Sequence, residues 1–422
     1  MFKSRDKGYA IGSEDIIQHI DDQYQIEEIW NIVEALLKCG GFDNEPWEVK
    51  KSILEEIYDN DFSAIPEHKR GHGHNFSGQI GLTGALNSGI VMSGEDSRMQ
   101  SESGRFPGKK RIGEEITVGG IRFPSNVLMA PLAGYTCFPF RLMVEHLGAG
   151  SAYTEMVSSD GLKYNDRATS KLLYTDDREK IKCVQLLGSI PTVFERAAKS
   201  ERLERFDVID LNMGCPVPNV VKAGEGSALL EDLPRASKII EACKRSGKVV
   251  SVKCRIGMNR QRIVIEEFAR MCEQSGADMI TVHGRTRDMM YDGEPLYEYI
   301  GLAKKAVGIP VFANGGIDSG AKAEEMMEKT GADGIMLARY GFENPLIFAE
   351  LTGRDCSDTK RSLLMEQLEL ARECFDELYV LTYIKKLASY FMKKLPGTKQ
   401  YKQALYKCGS ISELKGILGE IF

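Results

Sequence analysis

No run of about 18 apolar residues occurs in this 422-residue chain, which excludes a bilayer-spanning helix, and the start Met1-Phe-Lys-Ser-Arg-Asp lacks the apolar core of a signal peptide. A cytoplasmic protein without membrane association is expected. CxxC pairs are also missing. Ten cysteines stand singly, arguing for reduced thiols rather than a disulfide framework or a zinc site, and most fit the role of small buried hydrophobes. No metal is expected, since His72-Gly-His74 has no further ligands placed beside it. No GxGxxG follows the first predicted strand, so an open doubly wound sheet would have no phosphate loop. The stretch Leu378 to Ser412 contains no acidic residue at all.

What is present is an ordinary globular composition, 42% hydrophobic and 27% charged, with length for two or three domains. The net charge of −6 is unevenly spread. Residues 1–61 hold 15 Asp and Glu against 6 Lys and Arg, a local −9 that leaves +3 for the remainder. The acid-free stretch carries Lys385, Lys386, Lys393, Lys394, Lys399, Lys402 and Lys407, a pattern suited to a phosphate backbone. Tyr379, Tyr383, Tyr390, Phe391, Tyr401 and Tyr406 are interleaved with them, either to stack on bases or to pack the helices that carry them.

Periodicity divides the chain into four parts. Residues 1–66 read as an acidic helical module, because Gln25 to Leu37 repeats apolar residues at helical spacing and Pro46 opens a second helix. Residues 67–112 are a linker, with eight glycines between Gly71 and Gly104. Within 113–355, eight short apolar runs alternate with amphipathic helical stretches: Val127 to Pro131, Ala152 to Val157, Cys183 to Leu187, Val208 to Leu211, Val249 to Cys254, Met279 to Val282, Val311 to Ala313 and Gly334 to Ala338. Eight such units predict an α/β fold, a (β/α)8 TIM barrel, followed by a C-terminal helical domain over 356–422.

Polar residues recur at the C-terminal ends of these runs, where a barrel of this kind builds its site. Gln185 lies in the third, Asn212 and Cys215 end the fourth, Lys253 and Arg255 the fifth, His283 the sixth, and Asn314-Gly315-Gly316 the seventh. Stability does not explain that convergence, because an unpaired buried lysine is costly. Cys215, in Asn212-Met-Gly-Cys-Pro216, sits where Gly214 permits a turn and Pro216 ends ladder pairing. A free thiol titrates near about 8.5, so it is mostly protonated at neutral pH and can donate a proton. Gly315, Gly316, Ala338 and Arg339, on the loops after strands seven and eight, occupy the usual phosphate position of this fold, which implies a phosphorylated cofactor.

Met129-Ala-Pro-Leu-Ala-Gly134, Asn212-Met-Gly-Cys-Pro216, Gly226-Ser-Ala-Leu-Leu230, Val252-Lys-Cys-Arg-Ile-Gly257, Thr281-Val-His-Gly-Arg-Thr-Arg287, Ala313-Asn-Gly-Gly316 and Leu395-Pro-Gly397 occur in this order. From about Gly119 to the C-terminus the chain resembles the tRNA-dihydrouridine synthases, most closely the bacterial B-type branch. The resemblance implies an FMN-dependent oxidoreductase acting on a CH–CH group, which saturates the C5–C6 bond of a tRNA uridine with NADPH as reductant. By similarity, Pro131, Leu132 and Ala133 line the flavin, Gln185 and Lys253 bond its polar edge, and His283 lies beside it. Asn314, Gly315, Gly316, Ala338 and Arg339 cradle its phosphate. Cys215 becomes the general acid that protonates C5 while the flavin hydride goes to C6. Asn212 and Arg285 are expected at the uridine, and Lys385, Lys386, Lys393 and Lys394 along the tRNA, with the protein acting as a monomer. Asn219 stands where the family usually has a lysine, Ala338 where it has glycine and Leu132 where methionine is frequent. A flavin barrel reductase acting on a free pyrimidine or another small molecule is the competing expectation, and it leaves the lysine stretch without a role.

Overall fold

A computed structural model of the chain describes residues 110–164, 167–393 and 397–421, together with the antiparallel backbone pair Phe2–Lys3 and Ala10–Ile11. The chain divides into two units, Met1–Ser101 and Glu102–Phe422. Apart from those four residues, the acidic helical module expected over 1–66 lies outside the described residues, as do residues 67–109 of the expected linker and Lys394.

The second unit contains the predicted barrel. Its strands are β1 (Val127–Met129), β2 (Ser151–Ser158), β3 (Cys183–Leu187), β4 (Val208–Met213), β5 (Val249–Arg255), β6 (Met279–His283), β7 (Val311–Asn314) and β8 (Gly334–Leu337). They pair in parallel and in chain order. Ile335↔Val127 and Met336↔Leu128 join β8 to β1 and close the ring. Five of the expected runs stop one or two residues short of the observed strand ends, because a polar residue interrupts the apolar pattern there: Ser158, Asn212, Arg255, His283 and Asn314 all belong to their ladders.

Period-two alternation sorts every strand into two faces. Ile209, Leu211, Val250, Val252, Ile280, Val282, Val311, Ala313, Ile335 and Leu337 belong to one large apolar cluster with the surrounding helices. These helices are α1 (Phe138–His146), α2 (Pro191–Ala198), α3 (Leu233–Lys244), α4 (Ile265–Gln274), α5 (Tyr297–Ala306), α6 (Gly320–Thr330), α7 (Arg339–Glu343) and α8 (Ile347–Thr352). The alternate residues Leu128, Tyr153, Cys183, Val208, Val249, Met279, Phe312 and Met336 form a second, smaller cluster inside the barrel. A hairpin, Ile116–Val118 with Ile121–Phe123, adds Ile116, Val118 and Phe123 to that cluster and so plugs the barrel at its N-terminal end.

Four helices follow the barrel: α9 (Lys360–Cys374), α10 (Glu377–Phe391), α11 (Lys399–Lys407) and α12 (Ile411–Ile421). Helix α9 starts at a capping box between Thr359 and Ser362, and the Asp376 carboxylate caps α10 by accepting the Tyr379 N–H. Helix α10 packs on the barrel through Tyr390, whose hydroxyl lies 3.1 Å from that of Tyr135 and whose ring stacks edge-on against Phe342. Tyr383 and Phe391 are buried, so most of the aromatics in the acid-free stretch pack their own helices; Tyr406 is the exposed one. Among the described residues, no helix is long and apolar enough to cross a membrane.

Candidate active site

The thiol of Cys215 sits just past β4, half-buried, on a turn whose backbone is held by the end of β4 and by three other segments. Asn212 Oδ1 accepts the N–H of Gly214 (3.2 Å) and of Cys215 (2.9 Å). Arg255, at the end of β5, donates Nε to the Gly214 carbonyl (3.0 Å). Ser227 donates both its N–H (3.0 Å) and its hydroxyl (2.9 Å) to the Cys215 carbonyl, and Arg287 donates Nε to that of Pro216 (3.1 Å). Gly226 makes this fit possible: its φ is +58°, and a Cβ there would stand 2.8 Å from the Cys215 carbonyl oxygen. A nucleophile or acid fixed this way spends no free energy on ordering at the moment of reaction.

Burial pushes the Cys215 thiol up, outweighing the Val217 N–H and the charges of Arg255 and Lys253 that pull it down. It is therefore a protonated thiol at neutral pH. The other cysteines behave as expected of packing residues, six of the nine described being buried.

Around the thiol the inward residues of the strands join into two hydrogen-bonded sets. Gln185 accepts from Asn212 Nδ2 (3.0 Å) and donates to the buried Asp210 (2.6 Å). Lys253 donates Nζ to Asn314 Oδ1 (3.2 Å), and Asn314 Nδ2 donates to the Met336 carbonyl on β8 (2.7 Å). Burial, aided by neighbouring Arg255, lowers the Lys253 ammonium to about 8. His283 is buried and held well below its usual range, first by burial and then by Arg255, Lys253, Arg285 and Arg339. It is neutral. Its Nε2 lies 3.1 Å from Arg285 Nη1; a guanidinium can only donate, so Nε2 accepts and the ring proton sits on Nδ1.

Other predicted residues fall into distinct places. Arg285 is buried, and its Nε and Nη2 donate to the carbonyls of Asp292 and Gly293. Gly315 (φ +117°) and Gly316 follow β7, and a Cβ on Gly315 would lie 2.7 Å from the His283 ring. Ala338 precedes α7, and exposed Arg339 has its guanidinium carbon 4.7 Å from the centroid of the Tyr291 ring, which Arg255 also approaches at 5.5 Å. Pro131 and Leu132 are half-buried and Ala133 exposed, on the loop after β1. That loop is held from two sides: the Gly134 N–H donates to the Glu155 carboxylate, and Lys386 of α10 donates to the Gly134 carbonyl (3.3 Å). Lys385 instead donates to the Cys408 carbonyl just past α11, and exposed Lys393 pairs with Glu343 (3.2 Å). Lysines expected along one RNA surface thus divide into helix capping, loop support and the exposed Lys393, Lys399, Lys402 and Lys407. Asp210, Ser227, Arg287 and Glu155 were missed as site residues. A charged residue two places before Asn212, on the same face of its strand, was the available signal for Asp210.

The dihydrouridine synthase (Dus) family model matches residues 128–418, nearly all of the barrel and the C-terminal helices. The chain belongs to the dihydrouridine synthase family. It is 35% identical over 297 residues to tRNA-dihydrouridine synthase B of Pseudomonas aeruginosa, covering 68% of this chain and 90% of that one. It is also 34% identical over 301 residues to a probable tRNA-dihydrouridine synthase of Rickettsia bellii, covering 69% and 92%. The B-type resemblance expected from the motifs is therefore met. Among solved structures, an old yellow enzyme homologue from Zymomonas mobilis is similar at a TM-score of 0.43 and 13% identity, over 59% of this chain and 94% of that one.

Proposed function

We propose that this dihydrouridine synthase acts on tRNA in the cytoplasm, with FMN as its flavin, NADPH as its reductant and Cys215 as its general acid. The observation that carries the reading is the rigidly held, protonated Cys215 thiol beside a ring of inward donors. The donor set fits a flavin mononucleotide: Gln185 and Lys253 offer N–H groups to the carbonyl edge of a flavin pyrimidine ring, and Arg339 with the Gly315-Gly316 turn offers a cation and backbone N–H groups to a phosphate. Pro131, Leu132 and Ala133 supply an apolar wall and neutral His283 a flank. When bound, FMN supplies the hydride that reaches uridine C6, and NADPH recharges it.

Every other step falls to the chain. The uridine must leave its stack to enter the barrel mouth, and Asn212 and Arg285 border that entrance. Cys215 Sγ delivers its proton to C5, and the thiolate left behind is stabilised by the charges of Lys253 and Arg255. Lys253, still charged at neutral pH, holds negative charge at the pyrimidine edge. Lys386, Lys393 and Lys394, with the exposed lysines of α11, form the platform for the rest of the tRNA, and Lys385 supports it by fixing the end of α11. The Cys215→Ala protein should purify yellow and accept electrons from NADPH, yet lose uridine reduction by at least about a thousandfold. Reduction of tRNA by this variant at the wild-type rate would overturn the general-acid role. Reduction of free uridine as fast as tRNA by the unaltered protein would overturn the macromolecular substrate.

A further inference from the structure

Asp210 is wholly buried, two residues before Asn212 on β4, and the mechanism above does not use it. A carboxylate in that position is costly unless its oxygens are engaged. Both are. Oδ1 accepts the Ser251 hydroxyl (2.6 Å) and Oδ2 accepts Gln185 Nε2 (2.6 Å).

We propose that Asp210 is a positioning residue that orients the Gln185 and Asn212 amides and, through them, the turn carrying the Cys215 thiol. This inference rests on the reading of Cys215 as the proton donor. The two ends of a carboxamide have nearly the same shape, so two amides in series can be inserted in either direction, and only a fixed group at the end of the series selects one. Ionised Asp210 can only accept. Gln185 must then point Nε2 at it and Oε1 at Asn212 Nδ2 (3.0 Å), which leaves Asn212 Oδ1 facing the N–H groups of Gly214 and Cys215. Reversal of Asn212 would aim its NH2 group at those two N–H donors and leave them without an acceptor, and reversal of Gln185 alone would set its oxygen against the carboxylate and its NH2 against that of Asn212. Burial raises the carboxyl to about 6, with Ser251, Gln185 and Lys253 pulling it down, so it remains ionised at neutral pH. The polarity of a buried carboxylate is thereby carried across two strands to the reacting group.

The test uses the flavin-loaded enzyme with Asp210→Leu, which removes the acceptor, and Asp210→Asn, which keeps an oxygen for Gln185 and can turn its NH2 to the Ser251 hydroxyl. Two quantities are read: reoxidation of the reduced enzyme by tRNA, and the pH dependence of Cys215 alkylation by iodoacetamide. Asp210→Leu should slow reoxidation by about a hundredfold and displace the alkylation profile. Asp210→Asn should restore both to within about threefold of the unaltered enzyme, and Asp210→Leu added to Cys215→Ala should cost nothing further. Three results would each overturn the inference: reoxidation by Asp210→Leu within threefold, an additive double variant, or a folded Asp210→Asn as slow as Asp210→Leu. If Asp210→Leu does not fold, Gln185→Met interrupts the same series one link later and must displace the alkylation profile; an unchanged profile is equally fatal. A Cys215→Ala enzyme of full activity would instead sink the general-acid reading itself, so the two failures are distinguishable.

Discussion

The two ends of the barrel interior are built from the same eight strands, only a few residues apart, and have opposite characters. At the N-terminal end Val208, Val249, Met279 and Phe312 meet the hairpin residues Ile116, Val118 and Phe123 in a sealed apolar plug. One or two pleats further along, the same inward face presents Asn212, Lys253, His283 and Asn314. The plug gains from removing apolar surface from water, whereas the mouth keeps a lysine, an arginine and a histidine in surroundings that disfavour their charged forms. One end stabilises the fold, and the other carries chemistry at a cost to stability.

The largest way to break this contrast is at the plug. Phe312→Ala removes a fully buried ring and should cost about 3–5 kcal/mol in chemical denaturation, while turnover per flavin-loaded molecule stays near the unaltered value. At the mouth the sign should invert. Folding lowers the Lys253 ammonium from its ordinary 10.5 to about 8, so the folded state gives up that proton more readily than the unfolded chain. The resulting penalty is complete below about pH 8 and is relieved as pH rises from there to 10.5. Lys253→Met should therefore gain up to about 3 kcal/mol at pH 7, abolish the rise in stability across that window, and reduce uridine reduction sharply. In the unaltered enzyme, activity should fall as pH climbs through about 8 with the loss of this charge, a limb the variant should lack. A Lys253→Met enzyme that is less stable at pH 7 would show that the mouth contributes to the fold after all.

Smaller effects separate the lysines of the C-terminal helices. Lys393→Glu should weaken tRNA binding several-fold and lower the salt dependence of that binding by about one phosphate contact, with flavin content unchanged. Lys385→Ala should act on stability by about 1 kcal/mol, through the lost hydrogen bond to the Cys408 carbonyl, more than on the salt slope. Equal salt slopes in the two variants would erase the distinction between a helix-end clamp and an RNA contact.

Much of this is legible in the order of residues alone. Parallel strands buried on both faces read as continuous apolar runs, which is why all eight appeared at nearly their observed places and why polar residues at their ends stood out. The apolar runs stop before Asn212, Arg255, His283 and Asn314, because a hydrophobic pattern cannot extend through the polar residues that a site requires. Asp210 reads as part of an apolar run, and the lysines of α10 and α11 read as equivalent, because charge along a sequence does not tell which ammonium meets a carbonyl.

By itself, the order of residues determined the strand and helix periods, the placement of chemically active groups at strand ends, and an acid-free C-terminal region, since these depend on local spacing and composition. Only tertiary structure decided which of those groups touch. Closure of the ring, which sets eight strands side by side, brought Gln185 onto Asn212 and Lys253 onto Asn314 and buried Asp210 against Gln185. It also placed Arg255, Ser227 and Arg287 on the carbonyls flanking the thiol. Hydrogen bonds act over about 3 Å, and pairings of that range between residues tens of positions apart exist only once the chain has folded.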